Sequence, residues 1–183
     1  VDKDGKLWLY FGTGNYDKLQ EQSTSVKNRL FGIKDENFPN YSSVSAKTVS
    51  DCANISACPN TNQVGWYVDL LNSQKLSASP TIDKDRVYFP IYEPTPNNNA
   101  CTTGKAIFTA YSSKCGASLQ TTEVGTGVLS KVVKNADKLY IGLSGKAKSN
   151  VTGFSTKDNL LTTTSSAISA GKAVQLEEWK ENY

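Results

Sequence analysis

The residues best placed to do chemistry in this chain are its cysteines, Cys52, Cys58, Cys101 and Cys115, and an acidic, glycine-containing stretch near the start. Five residues separate the first two cysteines and thirteen the last two, so neither pair has the Cys-x-x-Cys spacing of a zinc knuckle. An even set with these gaps reads as two local disulfides, Cys52–Cys58 and Cys101–Cys115, with a four-thiolate zinc site as the weaker alternative. Oxidised cysteines imply a location outside the cytoplasm. Histidine is absent from the sequence, which removes Ser-His-Asp and Cys-His catalysis, histidine-ligated zinc and the usual proton shuttle at neutral pH.

Asp2, Asp4 and Gly5 have the alternating hard ligands and glycine that open a calcium loop. Such a loop needs further ligands up to a glutamate at its twelfth position, and here the sequence has by then run into a strand and Gly12-Thr13-Gly14. Similar turns at Asp83 and Asp85 and at Asn135 and Asp137 point to turn chemistry rather than a metal site. Gly12-Thr13-Gly14 lacks the further glycines, lysine and helix start of a phosphate cradle, and is expected to turn the chain at a strand end. Trp8, Trp66 and Trp179 could stack on a sugar or quinone, but large aromatics in repeated strands are expected to pack between sheets. Glu177 and Glu178 are adjacent in an expected strand and face opposite sides, which spoils them as a catalytic pair. No catalytic residue, cofactor or metal is expected.

The elements that must hold these residues are strands. Period-two alternation dominates the 183 residues, no stretch shows sustained helical spacing, and Asn, Asp, Gly, Ser and Thr clusters punctuate the apolar runs. One strand is written three times, as Leu9-Tyr10-Phe11, Val87-Tyr88-Phe89 and Leu139-Tyr140-Ile141. A second recurs as Leu30-Phe31-Gly32-Ile33, Phe108-Thr109-Ala110-Tyr111 and Val151-Thr152-Gly153-Phe154, with a small residue third. Leu9 to Val87 and Leu30 to Phe108 are both 78 positions apart, the mark of a repeat architecture.

Ser77–Ile82 and Val128–Val133 are expected to lead into the second and third copies, and Gly65–Leu70, Ser118–Val124 and Val174–Trp179 to close the units. Four strands per unit suggest β-propeller blades. The expected fold is therefore all-β, a partial propeller of three antiparallel blades over about 1–74, 75–126 and 127–183, the first lacking its leading strand. Eleven strands do not close a ring, so an apolar flank is expected at each end. Val1 falls inside a turn, which suggests a processed or excised segment whose remaining blades lie upstream or on another chain.

Residues 36–64, rich in Asn, Ser, Thr and Pro, read as a loop inserted between strands without supplying one, and so as a recognition surface with Phe38, Tyr41, Asn54 and Asn62 as candidates. The loop from Tyr92 to Gly104 is a second of the same kind. Asn40, Asn54 and Asn150 lie in Asn-x-Ser/Thr sequons. Twenty basic against 17 acidic residues leave a net charge of +3, too small and too scattered for a nucleic-acid or anionic-membrane partner. No run of 18 apolar residues is present, so no membrane insertion is expected.

In order and spacing, a series of motifs resembles the C-terminal propeller of the PilC/PilY family of type IV pilus proteins. They are Phe11-Gly12-Thr13-Gly14-Asn15-Tyr16, Leu30–Asp35, Gly65–Leu70, Ser79-Pro80-Thr81 before Arg86–Phe89, Pro94 with Cys101-x-x-Gly104, and the terminal Trp179-Lys180-Glu181. The departures are Asn15 in place of the family's arginine, Ser112 where an acidic residue often stands, and a loose match over 120–172. The resemblance implies a secreted, non-enzymatic protein at or near the pilus tip, acting in adhesion, pilus assembly or retraction control. It implies as partners pilins or minor pilins and a host or abiotic surface ligand, and it puts the family's calcium loop upstream of this chain. The alternatives are a fragment of a quinoprotein-like propeller dehydrogenase, whose adjacent-cysteine bridge is missing here, and a structural subunit of another extracellular filament.

Overall fold

The computed structural model describes residues 1–2, 5–23, 25–38, 48–51, 63–71, 73–96 and 102–165. Within them the protein is all-β, with a single 3-10 turn at Tyr16–Lys18. Three successive sheets form a partial propeller-like stack, and none of them closes on itself.

Sheet 1 contains β1 (Leu7–Gly12), β2 (Arg29–Asp35), β3 (Thr48–Asp51) and β4 (Gln63–Asp69), in the spatial order β1-β2-β4-β3. Sheet 2 contains β5 (Lys75–Leu76), β6 (Thr81–Asp83), β7 (Arg86–Glu93), β8 (Lys105–Ser112) and β9 (Ser118–Thr126). β5 and β6 lie along one edge of β7, and β8 and β9 follow on its other side. Sheet 3 contains β10 (Val133–Asn135), β11 (Lys138–Gly142), β12 (Ser155–Lys157) and β13 (Leu160–Thr164), in the order β10-β11-β13-β12.

Sheet 2 is covered on both faces. Its Val87, Phe89, Ile91, Ile107 and Tyr111 pack with Leu30 and Trp66 of sheet 1. Its Tyr88, Ala106, Phe108, Ala110 and Val124 pack with Leu139, Ile141, Leu143 and Leu161 of sheet 3. Successive side chains on a strand point to opposite faces, so a strand covered twice needs an unbroken apolar run; β7 is accordingly buried from Val87 to Glu93. The threefold Leu/Val-Tyr-Phe/Ile repeat thus marks equivalent positions. Tyr10 faces sheet 2 and Tyr88 faces sheet 3, while Val87 and Phe89, which flank Tyr88, face sheet 1.

The turns that open the copies are also equivalent. Lys84 and Ala136 adopt φ of 55° and 53° between paired strands, the left-handed geometry of a two-residue hairpin. Both leading strands are interrupted. β5 and β6 are split by residues 77–80, and the Leu129 bridge to Leu143 is separated from β10.

Three expectations need correction. The 36–64 segment does supply a strand, since β3 pairs with β4 and does so in parallel, so shortening the loop between Phe38 and Gln63 would remove it. Val151–Phe154 is not a strand: it closes a turn in which Phe154 N–H donates to Val151 O at 3.0 Å and Gly153 has φ 81°. Its place beside β11 is taken by β13, while Phe154 packs edge-on against Phe108 at 5.3 Å. Thirteen strands are described rather than eleven. The expected closing strand Val174–Trp179 lies outside the described residues, and β12 and β13 already bring sheet 3 to four strands.

The small residue of β2 has a specific cause. A Cβ on Gly32 would lie 2.4 Å from the Trp66 indole, and one on Gly116 would lie 2.5 Å from it. The indole thus lies close against two glycine backbones, and its Nε1–H donates to Ser113 O at 2.8 Å. Gly32→Val should destabilise the chain by about 2–4 kcal/mol, and Trp66→Ala by about 3–5 kcal/mol, through overpacking and cavity formation respectively. Urea unfolding followed by tryptophan fluorescence and circular dichroism measures both.

Candidate functional site: the open face of sheet 1

The residues singled out as chemical are mostly spent on the fold. Asp2 accepts from the Lys6 N–H (2.9 Å) and from Trp8 Nε1–H (2.9 Å), so its carboxylate serves the turn. Thr13 Oγ1 accepts from the Arg29 N–H at 2.8 Å. Gly14, at φ 132°, lets Lys75 pass, for a Cβ there would lie 2.8 Å from the Lys75 Cβ. Trp66 is fully buried, and Trp8 lies parallel to Tyr10 at 6.0 Å. Burial pushes the Tyr10 phenol well up from its ordinary range, although its OH donates to Ser113 O at 3.2 Å.

Charged groups inside the structure are likewise committed. The Lys75 ammonium donates to the carbonyls of Leu19 (3.0 Å), Ser73 (3.3 Å) and Glu21, fastening the 19–23 stretch to sheet 2. Burial lowers its pKa. Glu93 accepts from Lys105 Nζ (2.9 Å) and Gln74 Nε2 (2.7 Å). Asp83 pairs with Lys134 and accepts from the Ser165 hydroxyl, tying sheet 2 to sheet 3. Burial raises the Asp83 pKa, but the Lys134 and Ser165 hydrogen bonds outweigh it and hold the group below the usual carboxylate range.

Of the candidate loop residues, Phe38 is half-buried and its N–H donates to Asp35 Oδ1 at 3.2 Å. Tyr41, Asn54 and Asn62 lie outside the described residues, as do Cys52, Cys58, Cys101, Asn40, Trp179, Glu177 and Glu178. Cys115 is half-buried against the Trp66 cluster. In the 92–104 loop, the Tyr92 hydroxyl accepts from the Gly104 N–H at 2.8 Å.

Among the described residues, what remains open is a sheet face. Leu9, Phe11, Phe31, Ile33 and Tyr67 share the side of sheet 1 turned away from sheet 2. Phe11 stacks on Phe31 at 4.9 Å, Phe31 meets Tyr67 at 6.2 Å, and the Arg29 guanidinium sits 4.5 Å over the Tyr67 ring. Arg29 is held in turn by Asp69 at 2.6 Å. Leu9 is 56% exposed and Phe11 43%. Their equivalents one copy later, Val87 and Phe89, are fully buried against sheet 1.

The far end differs from expectation. The outward face of sheet 3 carries Asn135, Lys138, Ser155, Lys157, Thr162 and Thr164, with Val133, Tyr140 and Leu160 among them. Threonine keeps β-propensity while tolerating water, so among the described residues only the sheet 1 end presents a mainly apolar flank. The apolar flank expected at this end is present, and the residues that form it, Leu9 and Phe11, repeat the positions of Val87 and Phe89, which are buried in the second copy. Comparison with protein-family models, curated proteins and solved structures finds no match.

Two predictions follow from these contacts. Asp83→Asn should cost about 1–3 kcal/mol at pH 7, because it leaves Lys134 without its buried partner. A depressed carboxylate stabilises fully above its unfolded pKa, about 3.9, and loses that contribution as pH falls through its lower folded value. The gap between variant and parent in urea midpoints should therefore be full at pH 6 and shrink below about pH 4. Leu9→Ser with Phe11→Ser should change stability by less than about 1 kcal/mol, since neither side chain is buried. The same pair should reduce association and dye binding, as read by sedimentation and fluorescence of an apolar dye.

Proposed function

We propose that this chain is a non-enzymatic scaffold and binding module, the C-terminal part of a β-propeller in an extracellular type IV pilus protein acting in adhesion, pilus assembly or retraction control. The observation that carries the module reading is the apolar face of sheet 1, whose register equivalent is buried in the interface between sheets 1 and 2. A face with that register fits a further blade, supplied by an upstream segment or another polypeptide. The pilus assignment rests on the ordered motifs that resemble the PilC/PilY family, from Phe11-Gly12-Thr13-Gly14 to Arg86–Phe89.

Binding rather than catalysis is further favoured because Asp83, Glu93 and Lys75, the buried charged groups of the described core, serve the chain's own donors and acceptors. Pilins or minor pilins and a host or abiotic surface ligand are the remaining proposed partners. They would be engaged by loops carried on the stack, since loops on rigid scaffolds carry recognition.

The test is made in the source organism. Deleting the gene should lower pilus number and surface attachment, and the intact gene should restore both. A gene carrying Leu9→Asp and Phe11→Asp should fail to restore them, because charge on that face cannot be buried against a neighbouring blade. Normal pili and attachment in the deletion strain would end the pilus reading.

A further inference from the structure

Sheet 1 has, besides its open face, an open edge. In sheet 2, β5 and β6 flank β7, whereas the corresponding edge of β1 carries no strand among the described residues. The Thr13 N–H donates to Arg29 O at 2.8 Å. Since inter-strand bonding alternates along a strand, the odd-numbered residues of β1 exchange bonds with β2. The N–H and C=O of Trp8, Tyr10 and Gly12 therefore point to the other edge.

The open stretch has a defined start. On the same edge, the Lys6 N–H donates to Asp2 Oδ1 at 2.9 Å and Lys6 O accepts from the Asp2 N–H at 2.7 Å. Beyond this cap the edge borders a groove of about 750 Å³, with Tyr10 and Gly12 on one side and the Leu76–Pro80 segment on the other. The groove continues the interface between sheets 1 and 2, where Leu76 already packs.

An occupied example of this site exists in the same chain. Against β7, Thr81 pairs with Tyr88 and Asp83 with Arg86; after the Ser77–Pro80 interruption, Leu76 pairs with Ile91. Ser77 N–H donates to Pro90 O at 2.9 Å. The positions 78 earlier than Arg86, Tyr88 and Pro90 are Trp8, Tyr10 and Gly12. These are the residues whose backbone groups face the groove.

We propose that the β1 edge is a strand-acceptor site that takes one extended antiparallel segment from a partner polypeptide. The segment has the chemistry of Lys75–Asp83: two short pairing stretches joined by a link of small residues and proline. This rests on the reading of the chain as part of a larger propeller, and it names what the partner inserts. Main-chain bonds supply the binding, as in other cases of strand addition.

The probe is a synthetic peptide with the sequence of Lys75–Asp83, KLSASPTID, added to the intact chain while amide exchange is followed by NMR. The same nine residues fused ahead of Val1 through a flexible linker provide a form in which weak affinity is offset by high effective concentration. The amides of Trp8, Tyr10 and Gly12 should exchange at least about tenfold more slowly on occupancy, with those of β11 unchanged. Peptide N-methylated at the positions of Thr81 and Asp83, whose amides face the acceptor, should lose the effect; methylation at the position of Ile82, which faces away, should keep it.

Absence of protection with both the free and the fused segment would overturn the proposal. So would equal protection by the Thr81/Asp83-methylated peptide, which would mean unspecific adsorption. Protection of the three amides without any peptide would assign the edge to the chain itself, and protection that rises with protein concentration would assign it to a second copy; either result also overturns a partner's strand. All these readouts are made in vitro, so they stand apart from the pilus phenotype that tests the functional reading.

Discussion

The rest of the structure depends on the double burial of sheet 2. β7 and β8 have no solvent face, and the two flanking sheets find their cores only against them. Trp66 is the centre of the first interface. It belongs to sheet 1 by sequence, yet its indole reaches the Ser113–Gly116 turn of sheet 2 and meets Phe89 edge-on at 6.3 Å. An indole packed this closely against two glycine backbones leaves no room for a methyl at either glycine, so a local choice of residue in β2 and another in the β8–β9 turn are bound to one side chain in β4.

Polar contacts fix how the sheets stack, and apolar burial supplies the driving force. Thr81 Oγ1 donates to Val132 O at 2.7 Å, and Ser77 Oγ donates to Pro90 O at 3.1 Å or Leu129 O at 3.2 Å. Together with the Asp83–Lys134 pair, these contacts join the interrupted leading edge of sheet 2 to that of sheet 3. The interruption at residues 77–80 begins at Ser77, whose hydroxyl reaches Leu129 O ahead of sheet 3. Tyr10 does the corresponding work at the first interface through Ser113 O.

This way of building has a directional consequence. The second and third copies bury their Leu/Val and Phe/Ile positions against the copy before them, and among the described residues the first copy is left with an apolar face and a leading edge that carries no strand. The last described copy ends in a face rich in threonine and lysine. Among the described residues the stack therefore has one apolar end and one wetter end.

Much of the architecture was legible in the residues. Alternation showed strands, the 78-residue offset showed equivalent copies, and the Asp/Asn turns showed where each copy opens. These are local signals, set by backbone preference and by the period of two. Other features depended on contacts distant in sequence. The parallel pairing of β3 with β4 and the displacement of Val151–Phe154 by β13 follow from which strand wins a place beside a neighbour, and apolar patterning alone does not rank such competitors. The flank at Leu9 and Phe11 was expected from the strand count, but its residues were not singled out: their side chains are of the same kind as those buried at Val87 and Phe89, and what distinguishes the two is that no sheet among the described residues lies beside the first pair. Sequence determined that this chain makes repeated apolar strands, and tertiary structure decided which of their faces found a partner, because burial is a property of neighbours.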